Sequence, residues 1–519
     1  MSRRCLLLIY FLFGFGTAIL CMSYCRNISA LTSRFFPLPH TSTRVSRLRM
    51  ATKPVIIVGS GLAGLSAAYE ALKAGATVHM LDRATSPGGN SIKASSGING
   101  AGTKFQISNG ILNDGSFYDD TVRSAGINMQ QGPEGVDRMS LIRILTEMSA
   151  DAIDWLTGEI GVDLSVVAQL GGHSVARTHR GVGNPPGASI VTALLKKLNE
   201  NPDYSLSTSA NVESLIMENK KVTGVHYSIE GEKRELHGPV VFTTGGFAGD
   251  SQGLLAKYRP DLEGMPSTNE ARPGSHSLLS AIGGQLVDME SVQVHPTGFV
   301  DPKDPAAPYK FLAAEALRGE GGILLSEDGE RFVNEMEKRD VVSHAIMSQP
   351  QSHLSNMRQW DVTLLLDPGA CEATGSRLGF YLWKGLMRKV KVIDLPLSVI
   401  DAIDRYAEDV ASGHDTAFGR ETYGHWRLRA GETNRDEEVC IGTITPVIHF
   451  TMGGVAVNSK TRVLGKHGER LSPVEGIWSA GEISGGIHGA NRLGGSSLLE
   501  CAVFGRIAGT EAAKSLLKV

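Results

Sequence analysis

Three glycines open the first chemical possibility. Gly59-Ser60-Gly61-Leu62-Ala63-Gly64 has the spacing Gly-x-Gly-x-x-Gly, and Asp82 follows at the end of the next apolar run. Gly59 permits a tight turn, Gly61 lets the backbone approach a pyrophosphate, and Gly64 lets a helix pack on a strand. A helix starting here offers free N–H groups and a partial positive charge to phosphate oxygens. Asp82 can accept from ribose hydroxyls. Gly59, Gly61, Ala63, Gly64 and Asp82 are therefore candidate cofactor contacts.

The elements that must position them are legible on either side. Val55-Ile56-Ile57-Val58 is a fully apolar run and reads as a buried parallel strand. Leu65 to Lys73 has the pattern of an amphipathic helix closed by Gly75, and Thr77 to Leu81 reads as a second strand. The order strand, glycine turn, helix, strand, acid is that of a dinucleotide-binding unit.

Downstream segments favour a flavin over a nicotinamide. Ser86-Pro87-Gly88-Gly89-Asn90-Ser91 and Ala94-Ser95-Ser96-Gly97-Ile98-Asn99-Gly100 form a second Gly- and Ser-rich stretch. A nicotinamide dehydrogenase has no need of it. A flavin does, because the isoalloxazine is long and main chain must line its edge. Gly89, Asn90, Ser91, Ser95 and Gly97 join the candidate contacts. Ala210 to Glu218 and Lys221 to Ser228 read as a hairpin. Val240 to Thr244 reads as another buried strand, running into a turn at Gly245.

Length and composition bound the rest. The chain has 519 residues, 41% of them hydrophobic and 61 of them Gly, enough for two or more packed domains. No repeat of about 20–50 residues is present. Six cysteines form no Cys-x-x-Cys pair, no haem attachment motif and no comb for an iron–sulfur cluster. No metal site is expected.

Residues 1–50 read as a targeting leader. Arg3 and Arg4 precede an apolar run from Cys5 to Cys21, which resembles a signal-peptide core. It is short for a membrane span, which needs about 20 apolar residues. Residues 22–50 hold five Arg and no acid, as transit peptides do. The expectation is an organellar protein (secretory pathway, mitochondrion or plastid) with no membrane anchor once the leader is removed. Initiation at Met50 would give a cytosolic form. The leader's seven Arg leave 44 basic against 54 acidic residues, a net charge of −10. That balance offers no basic stripe for nucleic acid.

A set of longer motifs makes the reading more specific. They are Gln169-Leu170-Gly171-Gly172-His173-Ser174, Gln293-Val294-His295-Pro296-Thr297-Gly298 and Ala314-Glu315-Ala316-Leu317-Arg318-Gly319. With them stand Arg331 to Glu335, Arg339-Asp340, Thr445 to Gly454, and His488-Gly489-Ala490-Asn491-Arg492-Leu493-Gly494-Gly495. Over residues 54–517 the chain resembles the soluble FAD-dependent fumarate reductases of the fumarate reductase and succinate dehydrogenase flavoprotein family. The resemblance implies an α/β fold: a discontinuous Rossmann-like FAD-binding domain over 51–292 and 450–519, with an inserted α+β capping domain over 293–449.

It also implies the chemistry. Fumarate is a flat dianion whose reduction to succinate needs a hydride on one alkene carbon and a proton on the other. Arg492 would grip one carboxylate bidentately, because a guanidinium fork matches that shape. His449 would share that carboxylate, His295 would assist, and Ala314 would stand near the other one. Arg339 would donate the proton, with Glu315 and Arg318 as its relay to solvent. Glu482, Ser497 and Leu498 match cofactor contacts, and a helix from Ser497 would aim its N-terminus at the flavin. Reduced free flavin or an NADH-linked donor would supply the electrons. Arg177 and Arg180 read as surface charges without a role.

Three departures from the family pattern stand out. Asn90 and Ser91 occupy the stretch where succinate dehydrogenase flavoproteins carry a flavin-linked His, which implies non-covalent FAD. Ala314 replaces a Thr. Arg272-Pro273-Gly274-Ser275-His276-Ser277 lacks the usual Asp, leaving Ser275 as the available substitute. Two alternatives remain open: a related flavoprotein acting on another dicarboxylate or enoate, and a non-catalytic flavin-binding protein.

Overall fold

Val55–Val58, buried at every position, lies inside a nine-stranded sheet. Val78–Leu81 and Val240–Phe242 flank it, both parallel to it. Tyr204–Ser207 and Arg470–Ser479 extend the parallel run at either side. Strands covered on both faces have no solvent side, so the central segments are continuously apolar rather than alternating. This computed structural model describes residues 53–126, 135–352, 357–468 and 470–517, which leaves the predicted leader outside the described residues.

The hairpin read from sequence is present. Ala210–Glu218 and Lys221–Ile229 pair antiparallel, and Asn219 and Lys220 both take positive φ in the two-residue turn. Such a turn matches the right-handed twist of its strands. The first helix, Leu62–Lys73, begins three residues before the apolar pattern suggests, because Gly61 at its N-cap lets the turn close at once.

The last helix, Ser496–Leu517, returns to pack along this first helix. Two glycines bring them close. A Cβ on Gly505 would lie 2.5 Å from the Ala63 carbonyl oxygen, and one on Gly509 would lie 2.0 Å from that of Ala67. The C-terminal segment is thereby built into the fold begun by the N-terminal one.

Between them in sequence lies a second, antiparallel sheet. Its strands run in the order Val292–Phe299, Glu438–Thr451, Val362–Leu366, Ile323–Leu325, with Arg388–Lys391 also paired to Glu438–Thr451. Trp360, Leu364, Ile444 and Val342 pack in its core. The helices Arg339–Met347 and Ser376–Lys384 belong to this part of the chain. Residues 52–519 form one compact unit. Among the described residues no helix is long and apolar enough to cross a membrane, and no cluster of three or more His, Cys, Asp or Glu is placed to hold a metal.

The close helix pair is testable. Gly509→Val should cost about 1–3 kcal/mol by overpacking, read as a lower urea midpoint. Gly158→Ala, where a Cβ meets nothing within 4 Å, should leave the midpoint nearly unchanged.

Candidate functional site

One cavity of about 940 Å³ takes in both the glycine turn and a cluster of arginines. Gly59, Gly61, Ala63, Asp82, Gly89, Asn90, Ser91, Ser95, Gly97, Gly245, Glu482, Ser497 and Leu498 all line it. Gly64 lies just behind, where a Cβ would sit 2.0 Å from the Gly59 carbonyl oxygen. Gly59 itself has φ +104° and backs onto the Thr243 carbonyl, so no side chain fits there.

The wall is held by short polar contacts. Asp82 Oδ2 accepts from the Ser60 N–H at 2.7 Å and from its hydroxyl, while Oδ1 accepts from the Ala84 N–H at 2.8 Å. A carboxylate has about four acceptor positions, so Asp82 can still receive a ribose hydroxyl. Ser91 Oγ accepts from the Leu62 N–H at 3.1 Å and ties the second Gly-rich segment to the helix start. Asn90 donates to Asn269. Ser95 Oγ is buried without a protein partner, and a Cβ on Gly245 would meet nothing within 4 Å. Both features fit a long, flat, polar-edged group such as FAD lying along this wall.

Arg339, His449 and Arg492 also line the cavity. Arg339 is the first residue of the helix Arg339–Met347, and its Nε donates to Glu315 Oε2 at 2.8 Å. Its Nη2 donates to the same oxygen, and its Nη1 donates to Gln293 Oε1 at 2.9 Å. Arg492 Nη2 reaches that same Gln293 oxygen at 2.9 Å. The Arg492 guanidinium lies 4.3 Å from the Phe450 ring centre, which fixes its plane. Its Nε is buried with no partner. Burial and the neighbouring Arg339 push the Arg492 pKa down to about 9.

Glu315, Arg318, His295 and Ala314 stand behind the cavity wall rather than on it. Burial pushes the Glu315 carboxyl up, but Arg339 and Arg318 outweigh it and hold its pKa at about 2. Arg318 lies 3.9 Å from Glu315. Burial, opposed by Glu315 and reinforced by Arg339, brings the Arg318 pKa down to about 10. The rings of His295 and His449 meet edge to face at 5.1 Å. Burial and nearby Arg339 hold both well below the usual histidine value, so both are neutral at pH 7. His449 Nδ1 contacts Thr268 Oγ1 at 2.9 Å, and His295 Nε2 is buried without a partner. The Ala314 N–H is taken by the Tyr381 hydroxyl at 3.3 Å.

Residues 54–498 match the family model described as an FAD binding domain. The chain is 38% identical to the fumarate reductase of Schizosaccharomyces pombe, over 95% of this chain and 97% of that protein. It is 42% identical to fumarate reductase 1 of Saccharomyces cerevisiae, over 88% of this chain and 98% of that one. The open conformation of a flavocytochrome c3 fumarate reductase superposes with a TM-score of 0.68 at 31% identity, covering 90% of this chain and 78% of that one. The chain belongs to the FAD-dependent fumarate reductase family.

Within that family frame, two features of this enzyme's site escape sequence reasoning. The first is Gln293. Its Oε1 accepts from both Arg339 and Arg492, while its Nε2 donates to Asn491 Oδ1 at 2.8 Å and to the Arg492 carbonyl at 2.7 Å. The available signal was its place two residues before His295.

The second is Arg177, which is no surface charge: it is fully buried. Its guanidinium donates to Asp114 at 2.8 Å and to Asp120 at 2.6 Å, and meets His173 Nδ1 at 2.9 Å. His173 Nε2 in turn contacts the Gly494 carbonyl at 3.0 Å. The network anchors the loop that carries Arg492. Arg180 is also buried, paired with Glu320. An isolated Arg in a polar stretch gives no hint of such pairing.

The missing Asp of the Arg272–Ser277 loop leaves a hydroxyl pair. Ser275 lines the cavity and its Oγ lies 2.5 Å from Thr244 Oγ1.

Glu482 gives a pH test. Its Oε1 accepts from the Thr451 N–H at 3.0 Å, but burial and Glu500 raise its pKa from 4.5 to about 7. The folded chain thus holds a proton that the unfolded chain releases, and the associated stability falls as pH rises from 4.5 towards 7. In cofactor-free protein, Glu482→Gln should gain on the wild type by about 3 kcal/mol across that window, read from urea midpoints at each pH.

Proposed function

We propose that this chain reduces fumarate to succinate, using FAD held non-covalently along the glycine-rich wall. The observation that carries this reading is the pairing of Arg339 and Arg492 on one Gln293 oxygen, at the wall of the cavity that also holds the dinucleotide turn. Bound there in reduced form, FAD supplies a hydride equivalent for one alkene carbon.

The chain's own residues supply the rest. Arg492 and His449 hold one carboxylate, with the free Arg492 Nε as an available donor. His295, neutral and with an unpartnered Nε2, adds a second polar contact. Charge that builds on that carboxylate as the alkene is reduced is met by donors already in place, so little reorganisation is needed. Arg339 delivers the proton to the other alkene carbon. Arg339, Glu315 and Arg318 form a continuous acid–base row, along which Arg339 recovers its proton. A reduced free flavin or an NADH-linked donor brings the electrons.

Non-covalent attachment has its own physical support. Asn90 and Ser91 are engaged in hydrogen bonds and are poor nucleophiles. Cys501 lines the cavity, but burial and Glu500 push its thiol well above the ordinary value, so it carries little thiolate. Acid precipitation is expected to leave the yellow colour in the supernatant. Flavin retained in the pellet would overturn this part.

The reaction is tested with dithionite-reduced methyl viologen under anaerobic conditions. Its reoxidation should follow addition of fumarate, and Arg339→Lys should slow it by about 10²–10⁴-fold, the range for a lost general acid. An FAD-loaded wild type that leaves the viologen reduced would sink the assignment.

A further inference from the structure

A row of aromatic side chains begins inside the cavity and ends in solvent. Tyr309, Phe311, Phe380 and Tyr381 line the cavity. Ring centres are 5.7 Å apart for Tyr309 and Phe311, 6.3 Å for Phe311 and Phe380, and 6.1 Å for Phe380 and Trp383. Phe380 is 42% exposed and Trp383 is 76% exposed, both on the helix Ser376–Lys384. Large aromatic faces left open to water in a row usually mark a binding surface.

Cations border the row. Lys384 Nζ lies 5.3 Å from the Phe311 ring centre and 5.1 Å from that of Trp383. Arg377, one turn before Phe380 and Tyr381, lines the cavity with no hydrogen-bond or ion-pair partner among the described residues. At the inner end, Lys93 Nζ lies 5.6 Å from the Tyr309 ring centre. Lys93 closes the turn Ser91–Lys93, so the row meets the cofactor wall there. Lys93 is paired with Glu270 at 2.9 Å, so Lys384 and Arg377 are the positive groups that stand out on a chain whose body carries a net charge of −10.

An occupant of this surface should be flat, anionic and useful beside a flavin. We propose that the row docks the electron donor as a free reduced flavin mononucleotide, its ring on Phe380 and Trp383 and its phosphate toward Lys384 and Arg377. The proposal rests on the fumarate reductase reading above. The donor gives up two electrons and two protons and leaves as oxidised flavin mononucleotide. The resident cofactor takes up the pair, and one turnover of fumarate to succinate consumes two electrons and two protons. Aromatic faces accept any planar ring, and a bordering cation meets both the phosphate and the negative charge of a reduced flavin.

Trp383→Ala and Lys384→Glu test this, because both side chains lie outside the cavity lining. With photoreduced flavin mononucleotide as donor, KM for the donor should rise roughly tenfold in each, within the range for loss of a stacking face. The viologen-driven rate with fumarate, which bypasses the row, is the reference and should stay near wild type. Lys384→Glu should raise KM less for reduced riboflavin, which lacks the phosphate. As a binding readout, the FAD-loaded wild type should quench the fluorescence of added oxidised flavin mononucleotide, and Trp383→Ala should not. An unchanged donor KM and unchanged quenching, with viologen activity intact, would overturn the proposal and point to a protein covering the row. A wild type inactive with viologen would sink the functional reading instead, and the quenching comparison would still decide the docking site.

Discussion

Like charge held together out of water is the constraint on which this site depends. Arg339, Arg492 and Arg318 are all buried, and Glu315 is the carboxylate among them. Unpaired, such groups would cost several kcal/mol each in lost hydration. The fold offsets this with acceptors placed by separate elements. Glu315 takes two donors from Arg339, and Gln293 offers one neutral oxygen to two guanidiniums. A neutral acceptor satisfies the donors without cancelling their positive field.

Each of those acceptors is fixed by packing outside the site. Gln293 is on the strand Val292–Phe299, paired to the long strand Glu438–Thr451 that brings His449 in from the other side. The Arg318 carbonyl accepts from Arg420 Nη2 at 2.8 Å, and Arg420 is itself buried against Glu335 at 3.0 Å. Arg331 closes that network on Glu335 and Asp415, both at 2.9 Å. The motif Arg331 to Glu335 therefore acts at a distance: it holds the turn that places Arg318 beside Glu315.

The dinucleotide half was legible because its signals are local. An apolar strand, a Gly-x-Gly-x-x-Gly turn and an acid after the next strand are consecutive, and each residue type has one physical reason to be there. The convergence of Glu315, Arg339 and Arg492 was legible only through motifs that resemble a family, since the three lie far apart in sequence. What stayed hidden was pairing across long separations. Arg177 looks like a solvated charge until Asp114 and Asp120 are folded against it. Gln293 looks like an ordinary polar strand residue until both arginines converge on it. The aromatic row was hidden for the same reason, because Tyr309 and Phe311 come from one segment and Phe380 and Trp383 from another.

The charge balance of the cluster bears on which acid it suits. Arg339, Arg318 and Arg492 stand around Glu315, with Glu335, Glu482 and Glu500 also acting on them, and both histidines are neutral, so the histidines add no charge to the cluster. On the proposed reading, an anionic substrate offsets part of that buried positive charge on entry. Protonating either histidine would oppose Arg339 and Arg492 further, and their burial prevents it. The same burial that keeps the histidines neutral thus limits the positive charge gathered around Arg339 and Arg492.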